Sequence, residues 1–293
     1  MSWLWWIGVA LAGPQQDLAS QLQQTWQEVH DDAQWRSPYA AERSALREVA
    51  TLLGHDAEHC DDPTLKEAKG LLAATDFQLE VMTEGDERIL VVREGREKRG
   101  AGLFAMRCGP AEPLVWQAPH SLHDQKTGAI ARILFAQGNA RAVMWNTVHR
   151  YRSTPKELKS DPVHPADVTR EQGSLFQAVT VGLAVGDPAL RFAQVHGFAQ
   201  ASAPYQVIVS TGDPQSPPEA VATALQPVLG KAAAYGQEIE SLGGTVNVQG
   251  EMLRDWPTTR FLHVELSPDA RTRLATDGKV RARFAKAVSD TEW

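Results

Sequence analysis

Two imidazoles and a carboxylate crowd one corner of this chain. In "VWQAPHSLHDQKTGAIARILF", residues 115–135, an apolar run breaks at Pro119, His120, His123 and Asp124 follow, and a helical pattern then begins. Two kinds of chemistry fit the corner. Asp124 suits a helix N-cap, whose side chain accepts a backbone N–H from the first turn. Imidazole nitrogen and carboxylate oxygen are also zinc-ligand types, and a catalytic zinc site takes three protein ligands and keeps one position open.

Further reactive residues fall at the ends of strand-like runs. The run through Val143 ends in "NTVHRY", with Asn146, His149 and Arg150, and the run through Gln194 ends in "VHGF", where Gly197 after His196 admits a close neighbour. "RFLHVEL" alternates Leu262, Val264 and Leu266 with His263 and Glu265, which puts the last two on one face. Open α/β sheets bind ligands beyond the carboxyl ends of their strands, so these ends are expected to meet. His120, Asp124 and His196 are then the expected zinc ligands, with His123 competing with Asp124 for the third place. Glu265 is the expected general base. Arg150, with its planar fork, is expected to orient an anionic substrate or steady an oxyanion, with Asn146 beside it in substrate binding. Each residue has an ordinary alternative use: a hydrogen-bonded core histidine, an exposed strand carboxylate, a surface cation. Their joint occurrence at successive strand ends is what favours a site.

Two other stretches could contribute. "HPADVT", with His164 and Asp167, lies in the polar, proline-containing segment 151–171 and could cover the cleft, or serve as a proline turn and cap. "GGTVNVQGE" could present Asn247 and Gln249 to a substrate, although it reads first as a polar strand.

The surrounding elements set how these residues can meet. Residues 13–76 carry helical spacing and read as a helical N-terminal arm, with a short helix near 65–73. Three β-like runs, "FQLEVMT", "RILVVRE" and "GLFAMRC", separated by "EGDE" and "GREKRGAG", read as an antiparallel meander. From Leu114 strands and helices alternate, with a helix expected near 218–233, which points to a three-layer α/β/α sandwich with a mostly parallel mixed sheet. The meander and this sandwich make one expected domain, 77–293.

With 293 residues, 43% apolar and 22% charged, the chain can bury a sizeable core. The formal charge of −7 and the lack of a Lys/Arg block argue against nucleic acid or an anionic membrane as the main partner. No later apolar run is long enough for a transmembrane span. The start, "MSWLWWIGVALAGPQQ", has an apolar stretch ending in Ala10-Leu11-Ala12, so residues 1–12 are a candidate signal peptide and the expected location is secreted or periplasmic. Cys60 and Cys108 allow one disulfide in an exported protein, or two reduced buried thiols.

The order of His plus acid, then an Asn/Arg strand end, then His-Gly, then Glu resembles the zinc carboxypeptidase and N-formylglutamate amidohydrolase-like hydrolases. "APHS" is similar to the "PHSG" corner of the formylglutamate amidohydrolases, "ARAVMWNTVHR" to their arginine-bearing strand, and "QVHGF" to the site of their second histidine ligand; "FLHVEL" resembles the glutamate strand of the carboxypeptidases. The resemblance covers roughly residues 112–275. It implies a phosphorylase/hydrolase-type fold, one zinc held by two histidines and a carboxylate, amide hydrolysis and a glutamate base. It departs from the carboxypeptidase pattern, His-x-x-Glu, in that the acid here is Asp124, one position further on.

The expected function is a zinc-dependent amidohydrolase or peptidase acting on a small peptide-like or carboxylate-bearing substrate. The alternative is a non-catalytic module of the same fold that binds a peptide or glycan. A serine esterase is disfavoured, because no G-x-S-x-G elbow occurs.

Overall fold

A computed structural model describes residues 17–30, 33–152, 164–256 and 260–293. The candidate signal peptide at 1–12 lies outside the described residues.

Nine strands form one mixed sheet in the order β1-β2-β3-β5-β4-β6-β9-β7-β8. The meander β1 (Phe77–Glu84), β2 (Glu87–Glu94) and β3 (Leu103–Arg107) joins the sheet by antiparallel pairing of β3 with β5. The middle strands β5 (Ala140–Trp145), β4 (Glu112–Ala118), β6 (Arg191–Gly197) and β9 (Arg260–Leu266) run parallel. β7 (Val207–Ser210) reverses against β9, and β8 (Ala232–Ala234) closes the edge. The α/β sandwich read from the alternating pattern is thus the architecture. Four carboxyl ends point the same way, and parallel strands buried on both faces are near-continuously apolar for that reason.

Helices cover both faces. On one, α1 (Leu18–His30), α4 (Thr127–Gln137), α6 (Glu219–Leu229), α8 (Pro268–Thr276) and α9 (Gly278–Asp290) pack Leu22, Ile130, Leu225, Leu274 and Phe284 with Trp116, Val195 and Val264 of the sheet. On the other, α2 (Ala40–His55), α3 (Asp62–Leu72), α5 (Leu175–Gly186) and α7 (Val248–Arg254) pack Leu53, Leu65, Leu183 and Leu253 with Val115, Met144 and Phe192. α5 lies close on α2 because of its glycines. A Cβ at Gly182 would stand 2.4 Å from the carbonyl oxygen of Arg47, and one at Gly186 2.3 Å from that of Thr51.

Three local expectations change. The helix expected near 218–233 stops at Leu229, because Gly230 takes φ +100°, and the following alanines pair as β8. "NVQGE" is not a strand: Asn247 caps α7 through its side chain, which accepts from the N–H groups of Gln249 and Gly250. Residues 268–290, unassigned from sequence, form α8 and α9, and Phe284 and Val288 bury fully against the first face.

Candidate metal centre

The corner after β4 is built by backbone turns. The N–H groups of His123 and Asp124 both donate to the carbonyl of His120, at 2.9 and 2.8 Å, and fold the carboxylate of Asp124 back over the His120 ring. Lys126 adopts a left-handed φ of 75°, and α4 starts behind it at Thr127. Asp124 is therefore not the helix cap. Its Oδ2 accepts the N–H of Gly197 at 3.1 Å, which ties the β4 corner to the end of β6.

His120, Asp124 and His196 are all buried, and their ligand atoms lie within 4.8 Å of one another. Asp124 Oδ2 is 3.4 Å from His120 Nδ1 and 3.5 Å from His196 Nδ1. Two ligands of a tetrahedral zinc, each about 2.0–2.1 Å from the ion, stand roughly 3.3 Å apart, so the donor set fits. The outward nitrogens are held as well: His120 Nε2 faces Asp167 Oδ1 at 2.8 Å, and His196 Nε2 faces Gln194 Oε1 at 2.7 Å. A ligand histidine needs such a partner to fix its tautomer and orientation.

Charge follows the same arrangement. Burial opposes ionisation of Asp124, but hydrogen bonds and charge from His120 and His196 outweigh it and hold the carboxyl well below its usual range. Burial likewise opposes Asp167, and His120 and Arg150 outweigh it. His120 is raised, since its two carboxylates overcome its burial. His196 is pushed down to about 4 by burial and then by His263, and so stays neutral. Asp167 is balanced by Arg150, so Asp124 is the carboxylate left to face both inward imidazole nitrogens.

The other expected residues fall as follows. Glu265 is directly in register with His196 across β6 and β9, and it borders the same cleft. Its Oε1 is 3.2 Å from His263 Nε2, and Oε2 is buried without a hydrogen-bond partner among the described residues. Arg150 lines the cleft, pairs closely with Asp167 through Nη2, and brings Nη1 to 3.4 Å from His120 Nδ1. Asn146 does not reach the cleft. Its amide donates to the carbonyl of Val148 and accepts from Thr147 N–H, while its own carbonyl accepts from Ser121 Oγ, so it braces the two corners from a fully buried position. His123 turns outward to His149 Nε2, 3.2 Å away, which leaves Asp124 as the third member of the set.

Asp167 and His164 do more than line a covering loop. Both are buried, and Asp167 orients both His120 and Arg150. Gln249 lies behind the cleft, and Asn247, which borders it, is bonded to protein. Asn247 Nδ2 donates to Gln194 Oε1, and Gln194 in turn joins Gln117, Thr180, Gln249 and Gln177 in a buried amide network behind His196. Gln194 was missed, and His263, placed beside Glu265 by the alternation, was given no role. Their signal was period-two alternation, which puts Gln194 on the face of His196 and His263 on the face of Glu265.

His196, His263 and Glu265 also lie within ligand distance of one another. They do not make a second independent site. One nitrogen of His196 faces Asp124 and the other is bonded to Gln194, so the ring has none left for another ion.

The cleft, about 500 Å³, opens over these side chains and is walled by Tyr235 and the 240–246 loop. Among the described residues no helix is long and apolar enough to cross a membrane.

No protein-family model matches the chain, and no curated protein matches it in sequence. Among solved structures it is similar to N-formylglutamate amidohydrolase from Ralstonia eutropha JMP134, with a TM-score of 0.41 and 11% identity over 65% of this chain and 96% of that one. Succinylglutamate desuccinalase from Vibrio parahaemolyticus gives a TM-score of 0.41 and 11% identity over 75% and 78%. The LapA aminopeptidase of Legionella pneumophila gives 0.31 and 12% over 100% and 81%. All three are remote likenesses.

Proposed function

We propose that the protein is a zinc-dependent hydrolase that cleaves an amide bond in a small peptide-like or carboxylate-bearing substrate. One observation carries this reading: Asp124 Oδ2 stands 3.4 and 3.5 Å from the inward nitrogens of two buried histidines, beside a buried glutamate with one unpartnered oxygen.

His120 Nδ1, Asp124 Oδ2 and His196 Nδ1 would hold the ion. When bound, zinc supplies a Lewis acid that polarises a carbonyl and makes water nucleophilic near neutral pH. The chain's own residues do the rest. Asp167 and Gln194 fix the two imidazoles, so their inward lone pairs stay aligned. Glu265 Oε2 takes the proton of the attacking water and returns it to the departing amine nitrogen. His263 holds Oε1 and leaves Oε2 for that exchange. Arg150, fixed by Asp167 on the cleft wall, meets the carboxylate of the substrate.

An exported location belongs to the same proposal. The Cys60–Cys108 disulfide supports it, because such bonds persist in oxidising compartments.

Metal analysis tests the centre. Wild type is expected to hold one zinc per chain and to hydrolyse N-acyl amino acids, while His120→Ala and His196→Ala lose both properties. Variants that keep stoichiometric zinc would sink the assignment. Wild type that binds zinc and N-acyl amino acids without turnover would favour the binding-module alternative.

A further inference from the structure

Arg132 has an unusual place among the buried arginines. Arg99 pairs with Glu94 and Glu42, Arg107 with Glu87, and Arg141 with Glu58 and three backbone carbonyls. Arg132, only 7% exposed, has no hydrogen bond or ion pair to any described residue, and its Nε is fully buried without a partner. Nε is the part shut off from water; the terminal nitrogens, which bond to no described residue, stay open to solvent. Burial alone pushes its guanidinium down to about 10, with no carboxylate offsetting it.

The side chain borders an open groove of about 590 Å³ between α1, α4 and α9, which shares no lining residue with the metal cleft. A second cation is fixed at its wall: Arg281 donates through Nε and Nη2 to Gln137 Oε1, at 3.2 and 3.1 Å, and through Nη1 to the carbonyls of Leu274 and Ala275, which leaves one Nη2 hydrogen and its charge for a ligand. Gln23 and Gln27 of α1 also line it. The acidic group lining it, Asp17, is committed to its own helix, where Oδ1 accepts the N–H of Ser20 at 2.7 Å. The groove is thus a local cationic pocket on a chain of net charge −7.

We propose that this groove is a binding site for an oxyanion, a carboxylate or phosphate group, with Arg132 as the principal ligand and Arg281 as the second. A planar guanidinium fork matches both groups through paired N–H···O bonds. The bound anion supplies the counter-charge that no described residue gives Arg132.

Thermal unfolding of the full chain tests this, with inorganic phosphate or succinate compared against sodium chloride at matched ionic strength. Phosphate, succinate or both are expected to raise the wild-type melting temperature by roughly 2–4 °C. The rise is expected to vanish in Arg132→Met and to shrink in Arg281→Met. If Arg132→Met does not fold, Arg281→Met and phosphorus-31 line broadening on wild type carry the comparison. No rise beyond chloride overturns the proposal, as does an equal rise in the Arg132 variant. A rise lost in Arg150→Met instead places the anion in the metal cleft and also overturns it.

Discussion

At the residue scale, the candidate centre depends on side chains that would never touch the ion. Asp167 accepts from His120 Nε2 and pairs with Arg150, so one carboxylate positions both a ligand and the cation on the cleft wall. Asp167→Asn preserves shape but removes the charge that favours the correct His120 tautomer; zinc affinity is expected to fall about 10–100-fold, measured by competition with a chromogenic chelator. Glu265→Gln should behave in the opposite way: zinc content unchanged, turnover down about 10²–10⁴-fold. Loss of zinc from the Glu265→Gln protein would instead make Glu265 a ligand. His120, Asp124 and His196 were legible in the sequence because their types and their places after strands coincide. Asp167 was not, since a proline-containing loop gives no register and the side chain it meets is 47 residues away. Asn146 misled for a related reason: a strand-end amide can face a cleft or cap its own turn, and only the backbone partners of residues 147 and 148 decide.

At the element scale, the parallel strands and their order could be anticipated from alternation, whereas short elements could not. Seven-residue α7 and three-residue β8 are too brief for either period to declare itself, and tertiary partners decide them. The close α2–α5 contact depends on backbone approach at Gly182. Gly182→Val must displace the Arg47 carbonyl, and the expected loss is roughly 2–4 kcal/mol in urea unfolding. Because α5 supplies Thr180 and Gln177 to the amide network behind His196, zinc affinity should weaken too. The end of β2 gives a pH-dependent counterpart. Buried Glu94 accepts the N–H groups of Arg99, Gly100 and Ala101 and pairs with Arg99, yet burial dominates and pushes its carboxyl up to about 7. The folded value lies above the unfolded one of 4.5, so the linked stabilisation is complete below pH 4.5 and is lost as pH rises through about 7. Urea unfolding at several pH values should show wild type losing roughly 1–3 kcal/mol across that window relative to Glu94→Gln. Parallel pH curves for the two proteins would refute the assignment.

At the scale of the whole molecule, stability and chemistry occupy opposite ends of the sheet. The cleft lies beyond the carboxyl ends of β4, β5, β6 and β9. Cys60 and Cys108 lie at the other end: β3 runs antiparallel to β5, so the residue after Arg107 stands near the start of β5. The sequence left a disulfide and two buried thiols equally open, because proximity across 48 residues depends on how α2 and α3 settle against the meander. The disulfide joins that helical corner to the sheet. Arg141 of β5 holds the same corner independently, donating to the carbonyls of Ala57, Arg107 and Gly109 and pairing with Glu58. Opening the disulfide should therefore loosen the closed loop in the unfolded chain without dismantling the native corner. The expected cost is about 2–4 kcal/mol, or a melting temperature lower by roughly 5–15 °C. Zinc content at room temperature should stay at the wild-type level, since none of the residues around His120, Asp124 and His196 leans on this corner. The measurement is thermal and urea unfolding of wild type with and without reductant beside the Cys60→Ser/Cys108→Ser double variant, with metal analysis on each. Equal stability in the oxidised and reduced proteins would show that Arg141 alone secures the corner. Zinc lost together with the disulfide would show that the two ends of the sheet are coupled, against the separation the topology implies.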